Sequence, residues 1–170
     1  MNFGIRQKEA REAAEMTQMD FGFEINMSRS AVAMIETGKR KMPRDVMGKA
    51  VQVIDDGFYT MAAAEEVIGH VWVPKLDGKY VDLHRCSVSM KTEEEIHEAL
   101  TAIKGICVSN HPASMPDTQR QELKAALLQV IDAIVALSTY VAVICREYRL
   151  SWIQLWREHR VKLKSKGYVK

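Results

Sequence analysis

The sequence predicts a mainly α protein: an N-terminal five-helix domain, a short extended connector with a β-hairpin, and a C-terminal helical bundle domain with one long helix. Three observations predict it. Thr17 to Arg40 reads as two short capped helices around a tight turn. Leu123, Leu127, Val130, Ile134, Leu137, Val141, Ile144 and Tyr148 recur at spacings of four and three, a heptad seam held for almost four heptads. Strand signals collect only between His70 and Ser87. The domains are placed at residues 1–69, 70–90 and 91–170.

Phe3 to Glu15 is the first helix, with Ile5, Ala10, Ala13 and Ala14 at packing spacing. Thr17 caps the second, and Asp20 three residues on completes a capping box. Phe21 and Ile25 share its inner face. Gly22 inside it costs about 1 kcal/mol against alanine, which makes sense where a second backbone crosses closely. Asn26 tolerates the left-handed turn. Ser28 caps the third helix, Arg29 to Thr37, with Val32 and Ile35 inward and Gly38 as the stop. Arg29, Ser30, Ala33 and Met34 remain on its outer face, as suits a helix laid into the DNA major groove. Lys39 to Arg44 is a basic loop. Asp45 to Ile54 is a fourth helix ended by Asp55-Asp56-Gly57, and Thr60 caps a fifth through Ile68.

Ile5-Arg6, Ala10-Arg11, Thr17-Gln18, Met27-Ser28-Arg29-Ser30, Val32, Ile35-Glu36, Gly38-Lys39-Arg40 and Pro43 together resemble the helix-turn-helix of the Cro/CI (Xre-like) repressor family. The resemblance runs from about Phe3 to Ile54. Gly22 and Asn26 stand where the family usually has alanine and glycine, and both exchanges keep the sterics. Ala33 and Met34 replace residues that are often polar there, which thins direct base reading. The resemblance implies a Cro/CI-like domain bound to double-stranded DNA. Gln18, Ser28, Lys39, Arg40, Lys41 and Arg44 would meet phosphates, Arg29 and Ser30 base edges, and Ala33 and Met34 thymine methyls.

Further along, Pro74 makes the run from Val71 to Val73 an edge or an extended arm, and Asp77-Gly78 ahead of Tyr80 to Leu83 marks a hairpin. Thr92 opens a helix to about Cys107, with Glu93, Glu94 and Glu95 in its first turn. Pro112 and Pro116 mark a loop. The long helix follows from Thr118, its seam widened by Ile131, Val135, Ala142 and Cys145 into a core-facing stripe. Ser151 with Gln154 forms a capping box for a last helix to about Ser165, where Trp152, Leu155, Trp156 and His159 share a face more often core than partner site.

With 24 basic and 22 acidic side chains in 170 residues, overall charge says little. Its distribution says more: +2 over residues 1–50, −3 over 51–90, −3 over 91–145 and +6 over 146–170. A basic end serves phosphate or RNA, or is simply a solvated helix face. Cys86, Cys107 and Cys145 are odd in number and lack CxxC spacing, so they read as reduced cytosolic thiols. No signal peptide is evident, and Ala125 to Cys145 carries Gln129, Asp132, Ser138 and Thr139, which favours a buried or dimer-forming helix over a membrane span.

His84-x-Cys86 and Cys107-x3-His111 offer ligand types but no second close pair at zinc-site spacing. The segments from Ile144 to Trp152 and from Lys162 to Tyr168 bear a faint likeness to the close of MazG-type all-α pyrophosphohydrolases. That likeness implies magnesium ligands at Glu95-x-x-Glu98 and Gln129-x-x-Asp132, yet Gln129 stands where a carboxylate is needed. The expectation is therefore a cytoplasmic transcriptional regulator, repressor-like and of phage or bacterial type, with no catalytic residue, metal or cofactor. It would bind DNA as a dimer joined through Leu123, Leu127, Val130, Ile134, Leu137, Val141 and Ile144, and would take a regulatory protein but no membrane. Two alternatives stay open: an antirepressor or inhibitor acting through its C-terminal domain, and a MazG-like pyrophosphohydrolase, active or degenerate, with a DNA-binding appendage.

Overall fold

A computed structural model describes residues 3–108 and 111–170, and the described residues are all-helical, with no strand among them. The eight helices are α1 (Phe3–Ala13), α2 (Gln18–Glu24), α3 (Arg29–Glu36), α4 (Arg44–Ile54), α5 (Gly57–Ile68), α6 (Arg85–Gly105), α7 (Asp117–Glu147) and α8 (Trp152–Ser165). The chain folds as two compact units, Met1–Lys75 with Ile144–Lys170, and Leu76–Val143. The end of α7 and all of α8 thus build the same unit as the first five helices, whereas the sequence grouped residues 91–170 together.

In the first unit α2 packs on α3, α1 on α3 and α5, and α4 on α5 and α2. Phe21, Ile25, Val32, Ile35, Met47, Ala50, Ile54 and Tyr59 form the core of that arrangement. Two glycines permit its tightest approaches. A Cβ at Gly22 would stand 2.6 Å from the Met27 carbonyl oxygen, and one at Gly4 2.0 Å from that of Ile35. A side chain at either position would have to displace backbone.

Local signals behaved as the chemistry of caps requires. Thr17 Oγ1 accepts the Asp20 N–H at 3.1 Å, and the Asp20 carboxylate accepts the Thr17 N–H at 3.2 Å. Asn26 takes the left-handed conformation at φ 58° and Gly38 at φ 72°. Other expectations need correction. Asp56, rather than Thr60, caps α5, its carboxylate accepting the Tyr59 N–H at 2.7 Å. The helix placed from Thr92 begins at Arg85. Thr92 is buried within it, its hydroxyl donating to the Val88 carbonyl one turn back at 2.7 Å. At Ser151 only half of the box forms: its hydroxyl accepts the Gln154 N–H, while the Gln154 amide turns to Glu158.

The hairpin expected between residues 70 and 90 is absent. Gly78 opens only a turn, closed by the Val81 N–H on the Gly78 carbonyl at 3.0 Å. An isolated two-stranded hairpin is marginal in water, and Val73 gains more by burial in the first unit.

In the second unit α6 and α7 meet where the Thr92 hydroxyl reaches the Ala136 carbonyl at 3.3 Å. The buried side of α7 is mostly small: Ala126, Ala133, Thr139 and Ala142. Most of its large aliphatic side chains are exposed or half-buried. Leu127, Ile131, Ile134, Leu137 and Val141 are 36–53% exposed, and Leu123, Val130 and Ile144 are half-buried. Ala142 and Cys145 are core as expected, but Ile131 is not. Among the described helices α7 alone is long and apolar enough to cross a membrane by length and composition.

Candidate nucleic-acid interface

The outer face of α3 begins with its cap. Ser28 Oγ accepts the Ala31 N–H at 3.2 Å and lies 3.0 Å from Ser30 Oγ. That pairing leaves Ser28 committed at the helix start and Ser30 within reach of a groove. Arg29 is exposed in the first turn, and Met34 is exposed in the next, with Ala33 half-covered beside it. Val32 and Ile35 lock the opposite side into the core, so these outer positions cannot rotate inward.

The basic corner is held by backbone bonds. The Gly38 N–H donates to the Ile35 carbonyl at 2.9 Å and the Lys39 N–H to that of Met34 at 2.8 Å, the paired bonds that close a helix on a left-handed residue. Met42 is buried and pins the loop, leaving Lys39, Arg40, Lys41 and Arg44 in solvent. Four cations within six residues, beside the recognition face, suit a duplex backbone.

Gln18, expected at a phosphate, is also tied into the protein. Its amide donates to Glu36 at 2.9 Å, so one hydrogen is already used inside the protein. The same carboxylate takes Arg11 in a fork, Nε to Oε1 at 2.6 Å and Nη2 to Oε2 at 3.0 Å, while Arg11 Nη1 donates to the Met16 carbonyl at 2.6 Å. Arg11 and Glu36 are each 5% exposed. The hydrogen bonds it donates to Glu36, opposed by burial, hold the Arg11 guanidinium above its ordinary pKa. Burial, with the Glu36 charge nearby, pushes the Tyr59 phenol well above the usual tyrosine range. This network ties α1, α2 and α3 together. Arg11 and Glu36 belong to the resembling motif, but nothing local in the sequence marks them as partners.

Elsewhere, Glu95 and Asp132 line one open cavity of about 430 Å³ in the second unit with Lys91, Thr92 and Thr139, while Glu98 does not. Glu95 is ion-paired to Lys91 at 2.9 Å. Among the described residues no three His, Cys, Asp or Glu side chains converge as metal ligands would. Cys86 and Cys107 are exposed free thiols. Trp152 is buried and Trp156 largely exposed, their rings edge-on at 5.7 Å.

Residues 7–54 match the helix-turn-helix family. Residues 7–54 therefore form a helix-turn-helix domain of the Xre/Cro-CI type. No curated protein and no solved structure matches the chain. The family match ends at residue 54, so it lends nothing to the MazG likeness of the later helices.

Proposed function

We propose that the protein regulates transcription, in the manner of a repressor, by occupying an operator as a homodimer in the cytoplasm, with no catalytic step of its own. The observation that carries the reading is the aliphatic stripe on α7, which is largely exposed while small residues of that helix are buried. Its heptad spacing fits a second copy of the same helix. A second copy also supplies the second recognition helix that a two-fold operator asks for. Asp132 lies off the stripe, lining the cavity in the second unit.

Sedimentation of the full chain tests this. Wild type should run as a dimer. Leu127→Glu with Ile134→Glu should run as a folded monomer, because each charge would be buried without a partner in the dimer. Both positions are largely exposed within one chain, so the fold itself should survive. The monomer should also lose preference for a two-half-site duplex over a single half-site. A wild-type monomer that binds a host protein instead of duplex DNA would favour the inhibitor reading.

A further inference from the structure

Helix α8 bears on how much of the duplex the first unit grips, an inference that rests on the DNA-binding reading above. Residues 157–170 carry six basic side chains, Arg157, Arg160, Lys162, Lys164, Lys166 and Lys170, against the single Glu158. They belong to the same compact unit as the helix-turn-helix.

Two anchors set the direction of α8. At its start the Ser151 hydroxyl and the Ile153 N–H donate to the Asp55 carboxylate, at 2.5 and 2.7 Å, at the C-terminal end of α4. One turn later Arg157 Nη2 donates to Gln52 Oε1 at 2.6 Å. The contacts advance along α8 while they retreat along α4, so α8 doubles back toward the α4 start. The lengths agree: fourteen residues of α8 and eleven of α4 rise about 21 and 16 Å.

Continuing from Gln52, the same face of α4 offers Gly48, Lys49 and Asp45, and then the corner at Arg44 and Lys41. Nothing lies within 4 Å of a Cβ built on Gly48, so α8 leaves that face open. Continuing from Arg157, the same face of α8 offers Arg160 and Lys164. Arg44, Lys49, Arg160 and Lys164 are exposed, and among the described residues none forms an ion pair. Asp45 is the one carboxylate on those stretches. Cations brought toward one side of a unit, beside the recognition corner, are complementary to a polyanion that runs past it.

We propose that α8 is a second, sequence-independent DNA contact, in which Arg160 and Lys164 take phosphates flanking the half-site read by α3. The test is fluorescence anisotropy of the full chain on a labelled duplex across a salt series. Arg160→Gln with Lys164→Gln should lower the magnitude of the salt slope by about two, at ~0.9 per phosphate contact. Between 50 and 200 mM salt the variant should thus lose roughly tenfold less affinity than wild type. Its preference for operator over random duplex should be unchanged. Both side chains are solvent-exposed, so folding should be unaffected, and circular dichroism checks it. An unchanged slope in a wild-type protein that does bind duplex overturns the α8 contact and leaves the α3 reading standing. A wild type that binds no duplex overturns both.

Discussion

Arg29 shows how little separates a specific regulator from a merely basic protein. It is the one long donor on the outer face of α3, since Ser30 is short and Ala33 and Met34 have no side-chain donor. A guanidinium in the first turn can take guanine O6 and N7 together, worth about 1–3 kcal/mol of discrimination. Arg29→Ala should therefore relax preference at one guanine per half-site, the two lying roughly one helical turn, about 34 Å, apart. Nonspecific affinity should stay nearly intact, because the basic corner of Lys39, Arg40, Lys41 and Arg44 is left unchanged. Binding of operator and random duplex at one salt concentration decides it, and equal losses on both would show that Arg29 holds phosphate only.

At the scale of elements, the buried Arg11–Glu36 fork decides where α3 points. Glu36 sits at the end of the recognition helix, Arg11 near the end of α1, and Gln18 at the start of α2. Glu36→Ala would leave a buried guanidinium with the Met16 carbonyl and, as its counter-charge, only the more distant and exposed Glu12 at 3.4 Å. Losses of this kind run to about 3–5 kcal/mol, a large part of the 5–15 typical of a whole domain. The denaturation midpoint should fall sharply with the slope unchanged. Arg11→Met with Glu36→Leu should recover much of it, since a well-packed apolar pair avoids the desolvation cost. If the single and double variants are equally unstable, the pair matters for shape rather than charge. The same network fixes one Gln18 amide hydrogen inside the protein.

For the molecule as a whole, acid stability should track the clasp between α1 and α5. The Glu65 carboxylate accepts from Arg6 and lies 2.9 Å from His70 Nδ1. The Arg6 hydrogen bond, opposed by burial, holds the Glu65 carboxyl below its ordinary range. A depressed folded pKa means that the stabilisation is fully present above the unfolded value, about 4.3, and is lost as pH falls through the lower folded value. Thermal melts from pH 7 downward should show wild type losing this increment in the acid range. Glu65→Gln should be less stable at pH 7 and flatter below pH 5. Parallel curves would exclude the clasp as the source.

What could be read from the chain alone was whatever neighbours in sequence decide. The caps at Thr17 and Ser28, the left-handed turns at Asn26 and Gly38, the inward Val32 and Ile35, and the basic corner depend on residues within a few positions of one another. Hence the helix-turn-helix and the outward set of Arg29, Ser30, Ala33 and Met34 were legible. The α7 seam was legible as a period, but its direction was not. Only the folded structure showed that alanines are buried and most of the large aliphatics exposed. The missing hairpin, the start of α6 at Arg85, the Arg11–Glu36–Gln18 network and the return of α8 along α4 were decided by tertiary structure. Each depends on groups many residues apart, such as Arg157 and Gln52 or Arg11 and Glu36. Local propensity cannot weigh such pairs, because their free energy exists only once the helices have brought them together and taken them from water.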